Sequence, residues 1–86
     1  MTMIHEEDLL SAAEHIARKS ARYYRQGNEA ESAAAQNRMV DCIEASRWPA
    51  VFIGNLVERI GRQNALDVMI DKPIVDYVLG PRERNA

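Results

Sequence analysis

Gly27 and Asn28 stand between two long stretches of helical periodicity and leave no room for a loop. Two helices joined this tightly must fold back on each other as an antiparallel hairpin. The first helix is expected from about Thr2 to Gln26. Glu6, Glu7 and Asp8 crowd its start, while Arg18, Lys19, Arg22 and Arg25 crowd its end, so both termini complement the helix dipole. Gly27 then suits the left-handed residue that closes a helix. Leu9, Ala13, Ile16 and Ser20, followed by Tyr23 or Tyr24, recur at spacings of three and four, and Glu7, Ser11, Glu14, Arg18, Arg22 and Arg25 fall on another side.

Asn28 followed by Glu31 is a capping box that opens a second helix running to about Ser46. Reversal between Gly27 and Asn28 pairs positions whose numbers sum to about 55. Ile16 is then expected near Met39, Ala13 near Cys42 and Ile43, and Ala21 near Ala34. Between Ala17 and Arg38 only Tyr23 and Tyr24 are large and apolar, so the hairpin tip is expected to be thin and to project beyond the core.

The heavy apolar residues come after Trp48. Pro49 suits the first turn of a third helix, with Val51, Phe52, Ile53, Leu56, Val57 and Ile60 buried and Gly61 at its end. Gly54 inside it costs roughly 1 kcal/mol relative to alanine, which a closely packed neighbouring helix would explain, the alternative being a break of the segment at Gly54 and Asn55. Asn64 with Asp67 reads as a further N-cap, and Ile74 to Leu79 as a last helix closed by Gly80 and Pro81. The β-branched content of this stretch also fits a short C-terminal β-hairpin across Asp71, Lys72 and Pro73. The expected fold is all-α, a small helical bundle forming one domain over residues 1–80. Residues 81–86 read as a flexible polar tail.

Several chemistries find no support. The chain has a single cysteine, Cys42, so neither an intrachain disulfide nor a thiolate zinc cluster can form within it, and Cys42 reads as a structural thiol. Asp8, Ser11 and His15 share a helix face, but one exposed helical stripe supplies neither an oxyanion hole nor a cleft. His5 and His15 are ten residues apart and point about 80° away from each other on a helix, which is poor spacing for a metal. With four glycines placed singly or at helix ends, there is no phosphate-binding loop. No catalytic residue, cofactor or metal is therefore expected, and the chain reads as a non-enzyme. A helix-turn-helix across Val51 to Lys72 would turn Asp67 and Asp71 towards phosphates, which argues against it. With no apolar stretch of signal-peptide or membrane-spanning length, the chain reads as cytoplasmic and without a membrane partner.

What remains is recognition. Nine of the eleven cationic residues are arginine, a residue enriched at protein interfaces. Arg18, Lys19, Arg22, Tyr23, Tyr24 and Arg25 combine cations with aromatic rings at the tip, with Glu29 and Glu31 opposite. These eight are the expected partner-binding residues. The cations either reach a partner or pair with Glu14, Glu29 and Glu31. The same basic and aromatic cluster could instead hold nucleic acid. Residues 1–17, however, hold four carboxylates and no Lys or Arg, and such acidic surroundings repel a duplex. Met69, Ile70, Ile74, Val75, Val78 and Leu79 are candidates for self-association as a homodimer. Trp48 is read as a core anchor, with an exposed binding residue as the alternative. A stand-alone acidic helical protein of this kind suits a small bacterial or phage regulator or inhibitor that blocks a host protein complex.

Overall fold

Helix α1 (Glu6–Arg25) ends as expected. Gly27 takes φ +79°, its amide donates to the Tyr24 carbonyl at 3.0 Å, and the Asn28 amide donates to the Tyr23 carbonyl at 2.9 Å. Those two bonds satisfy carbonyls that the helix end would leave open, and only glycine accepts this backbone without strain. Helix α2 (Glu29–Ala45) starts at once, with the Asn28 side chain accepting from the Glu31 amide at 3.4 Å. The capping box is half made, because the Asn28 amide serves α1 and does not receive the Glu31 carboxylate. In this computed structural model, which describes residues 5–80, helices α3 (Pro49–Asp67) and α4 (Lys72–Leu79) complete an all-α bundle. His5 is extended at the N-cap, so α1 begins at Glu6 and not at Thr2 as expected, while the polar tail lies outside the described residues.

No strand occurs among the described residues, so the β-hairpin alternative is overturned. Alternation explains why. A strand over 74–79 would place Asp76 between Ile74 and Val78 on one face, whereas in α4 it reaches Arg62 and Lys72 while Val75 points into the core.

The hairpin register is shifted from the expected one. The Ser20 hydroxyl donates to the Ser32 carbonyl at 2.9 Å, the Ser32 hydroxyl to the Ser20 carbonyl at 3.1 Å, and the Ser46 hydroxyl to Glu6 at 2.6 Å. The reversal therefore centres on Gln26, because the last turn of α1 faces the connecting residues themselves. Ala35 is buried in α2 while Ala34 is exposed, which excludes Ala34 as the partner of Ala21.

Gly61 is the second decisive glycine. At φ +85° it breaks α3 between residues 49–60 and 62–67 and turns the second piece along the hairpin. There Gln36 donates to the Val68 carbonyl at 3.1 Å, and Arg25 reaches Asp67 at 2.6 Å. The helix thus resumes just after Gly61, and Asn64 does not cap it. Asn64 instead donates to the Ile60 carbonyl at 2.8 Å and accepts from Arg25 at 3.0 Å. This packing also shortens the projecting tip: Ala17, Ser20, Ala21, Ser32 and Ala35 are buried, and continuous exposure begins only at Tyr24 and ends at Glu31.

The core joins Leu10, Ala13 and Ala17 of α1 to Met39 of α2 and to Phe52, Leu56, Val57 and Ile60 of α3. Helix α4 packs on α3 alone and is anchored by the fully buried Val75. It comes over Gly54, but without the close approach expected there. A β-carbon there would sit 3.8 Å from Val78 Cγ2, an ordinary contact.

Candidate functional site: an apolar face beside helix 4

A helix packed against a single neighbour buries one stripe and leaves the rest of its apolar residues open. In α4, Val75 is fully buried while Tyr77 is 91% exposed. On α3, Phe52 turns inward and the adjacent Val51 is 59% exposed. Trp48 is also outside the core, contrary to the leading expectation, at 52% exposure with the Arg47 guanidinium 5.9 Å from its ring centroid. The cause is local: Trp48 stands at the N-cap, immediately before Pro49 and ahead of the stripe that α3 buries.

These side chains border three adjoining depressions. The first, about 360 Å³, is lined by Leu10, Trp48, Val51 and Phe52, with Glu6 and Arg47 at its edge. The second, about 580 Å³, lies between α3 and α4 over Val51, Ile53, Gly54, Ile74, Tyr77 and Val78. The third, about 200 Å³, is lined by Met39, Val40, Ile43, Met69 and Ile70 together with Ile53 and Ile74. Val51 is common to the first two, and Ile53 and Ile74 to the last two, so the depressions form one row. Contiguous exposed apolar surface of this kind marks interaction sites in proteins.

Met69 carries backbone strain within this row. It lies at φ +68°, the left-handed region, at the end of α3, where its amide bonds the Leu66 carbonyl and the Ile70 amide bonds the Ala65 carbonyl. Glycine is the usual occupant of that position. Here the methionine is kept and is 57% exposed.

The expected self-association residues divide between core and surface. Val75 is inside, Ile70 and Val78 are half-buried, and Met69, Ile74 and Leu79 are exposed. The expected basic cluster is divided as well. Arg18 bonds Glu14 at 3.2 Å and the Arg59 carbonyl at 2.7 Å, and Arg25 holds Asp67 and Asn64. Arg22 and Tyr24 stay exposed, Lys19 and Tyr23 are half-buried, and Glu29 and Glu31 are exposed and join no ion pair among the described residues.

Around the face, the Ser46 hydroxyl and then the Arg47 amide hold the Glu6 carboxyl below its ordinary pKa. Lys72 and then Arg62 do the same for Asp76. Arg62 also donates to the Gly80 carbonyl, tying both ends of the last turn of α4 to α3. Cys42 packs half-buried against the core, and burial followed by the Asp41 charge pushes its thiol pKa up, which weakens it as a nucleophile. Asp8, Ser11 and His15 are all exposed, and no group of three or more metal-ligating side chains gathers among the described residues. No described helix is long and apolar enough to cross a membrane.

No family model matches the chain, and no curated protein or solved structure is significantly similar to it.

Proposed function

We propose that this chain is a non-enzymatic protein-interaction module of the cytosol, acting as a small regulator or inhibitor by occupying a surface on a partner complex. The observation that carries this reading is the row of three apolar depressions bordered by Trp48, Val51, Tyr77 and Met69. Exposed aromatic residues beside preformed apolar hollows are what interface hot spots are built from. The test is affinity capture from native cytosol with the wild type and with a Val51→Glu/Tyr77→Ser variant, both positions being exposed. A protein held by the wild type and lost by the variant supports the reading. Identical capture by the wild type and the variant removes this face as the binding site.

A second reading is nucleic-acid contact at the end of α1, favoured by the exposure of Arg22 and Tyr24 beside Lys19. Its test is a low-salt oligonucleotide shift assay with the wild type and a Lys19→Glu/Arg22→Glu variant. Failure of the wild type to shift any oligonucleotide ends that reading.

A further inference from the structure

Charge identifies the occupant of the apolar face. Glu44 lies one turn beyond Val40 on α2, Glu58 one turn beyond Gly54 on α3, and Asp71, at the N-cap position of α4, lines the third depression. Glu6 edges the first. All four are exposed, and none has an ion-pair partner among the described residues. Against them stand Arg47, which lies over Trp48, and Lys72, whose ammonium is held by Asp76 at 2.8 Å. Among the described residues, exposed carboxylates without an ion-pair partner thus outnumber the cations beside the apolar row.

The row also has a direction. Its first and third depressions share no lining residue, and each adjoins the second. Three hollows in line suit a ligand that presents three apolar anchors along one edge, as a helix does at positions i, i+3 or i+4, and i+7. A second copy of this chain fits poorly. Two-fold contact sets the same patch against itself, so a face with an excess of carboxylates would meet an equally acidic one. Four of the chain's own cations, Arg18, Lys19, Arg22 and Arg25, gather at the far end of α1, about 22 Å along the helix from the Glu7 turn at 1.5 Å per residue. An anionic lipid surface is rejected by the same carboxylates.

We infer that the apolar face between α3 and α4 receives a cationic amphipathic helix, its apolar edge seated in the three depressions and its Lys or Arg flanks against Glu6, Glu44, Glu58 and Asp71. This rests on the reading of the face as a protein-docking surface and adds the chemistry of the partner.

The probes are two synthetic helical peptides with the same leucine edge at i, i+3, i+4 and i+7, one flanked by lysine and the other by glutamate. Binding is read from the emission of Trp48, the single tryptophan, which borders the first depression. The lysine peptide is expected to bind about tenfold more tightly at low salt, with the preference shrinking as salt rises. Glu44→Lys/Glu58→Lys should narrow or invert the preference. Val51→Glu is the control for charge alone, since it strengthens a purely electrostatic attraction but weakens a seated apolar edge; weaker binding is expected. Equal binding of both peptides overturns the cationic partner while leaving the docking surface standing. No binding of either peptide overturns the helical partner, and the capture experiment above then judges the docking surface separately. A dimer in sedimentation velocity at tens of micromolar that Val51→Glu returns to monomer overturns the inference in favour of a second copy.

Discussion

Ser20 and Ser32 exchange hydrogen bonds across the α1–α2 interface, each hydroxyl donating to the other's backbone carbonyl. Both side chains are buried, and both hydroxyls sit where alanine would otherwise be the natural close-packing residue. The pair is what fixes the hairpin register, because a slip of one residue on either helix breaks both bonds at once. Ser20→Ala and Ser32→Ala should each lower stability by about 1 kcal/mol, the usual net worth of a buried neutral hydrogen bond. The two losses should not add, since the residues are in contact. Urea midpoints of the two single variants and the double variant check this; fully additive losses would mean that the serines act independently.

Arg62 fixes α4 at two points, the Asp76 carboxylate and the Gly80 carbonyl. Among the described residues no other helix packs on α4, so the tether and the buried Val75 carry its docking. Arg62→Ala should open this helix locally more than it destabilises the whole chain. Amide hydrogen exchange over residues 72–79 is expected to accelerate well beyond that of α1 and α2. Uniform acceleration across all four helices would show that α4 unfolds only with the rest.

Most of the helices were legible because their signals are local. Acidic and basic ends, Gly27 at the turn and Pro49 in a first turn each act within a few residues of their own position. The site was legible only in part: Met69, Ile70, Ile74 and Val78 stand out as an apolar excess and do line the second and third depressions, while Val51 and Tyr77 do not stand out, for the converse reason. Nothing near Val51 or Tyr77 in the chain says that no helix covers them, and Phe52 or Val75 would look the same from composition. The pairing of Arg18 with Glu14 is local and legible, but the Arg59 carbonyl and Asp67, which hold Arg18 and Arg25, lie 41 and 42 residues away. Asn64 resembled a cap by spacing, but the left-handed Gly61 had already restarted the helix. The signal that could have found the face was the phase of α4. Aligning Val75 with the core leaves Tyr77 about 160° away from it, given 100° per residue, once α4 is assigned only one neighbour.

Glu6 and Asp76 link the fold to pH. Their carboxyl pKa values are lowered in the folded chain, Glu6 by the Ser46 hydroxyl and the Arg47 amide, Asp76 by Lys72 and Arg62. A lowered pKa means that the unfolded chain binds more protons at these sites, so stability rises with pH through the acid range. The contribution is complete above the ordinary carboxylate values near about pH 4 and is lost as pH falls through the lower folded ones. Thermal midpoints measured across the acid range should fall less steeply for Glu6→Gln and Asp76→Asn than for the wild type. Parallel curves for all three proteins would show that neither carboxylate contributes to the acid sensitivity.

Gly54 and Met69 sit at positions where a different residue would serve the fold better, and both line the apolar row. Alanine at position 54 gains roughly 1 kcal/mol of helix propensity, and its methyl meets Val78 Cγ2 at an ordinary distance, so Gly54→Ala should raise the thermal midpoint by about 4 to 8 °C. Glycine at position 69 relieves a left-handed non-glycine residue, worth about 1 kcal/mol, and removes a side chain that is already mostly in solvent. Each substitution alters the depressions as well, the first by filling the floor between α3 and α4, the second by removing a wall. Stability and affinity for the lysine-flanked peptide should therefore move in opposite directions in both variants. That opposition is the signature of a face shaped for binding at the expense of stability. If both variants gain stability and bind the peptide as well as the wild type does, the depressions around Gly54 and Met69 are not where its apolar edge sits.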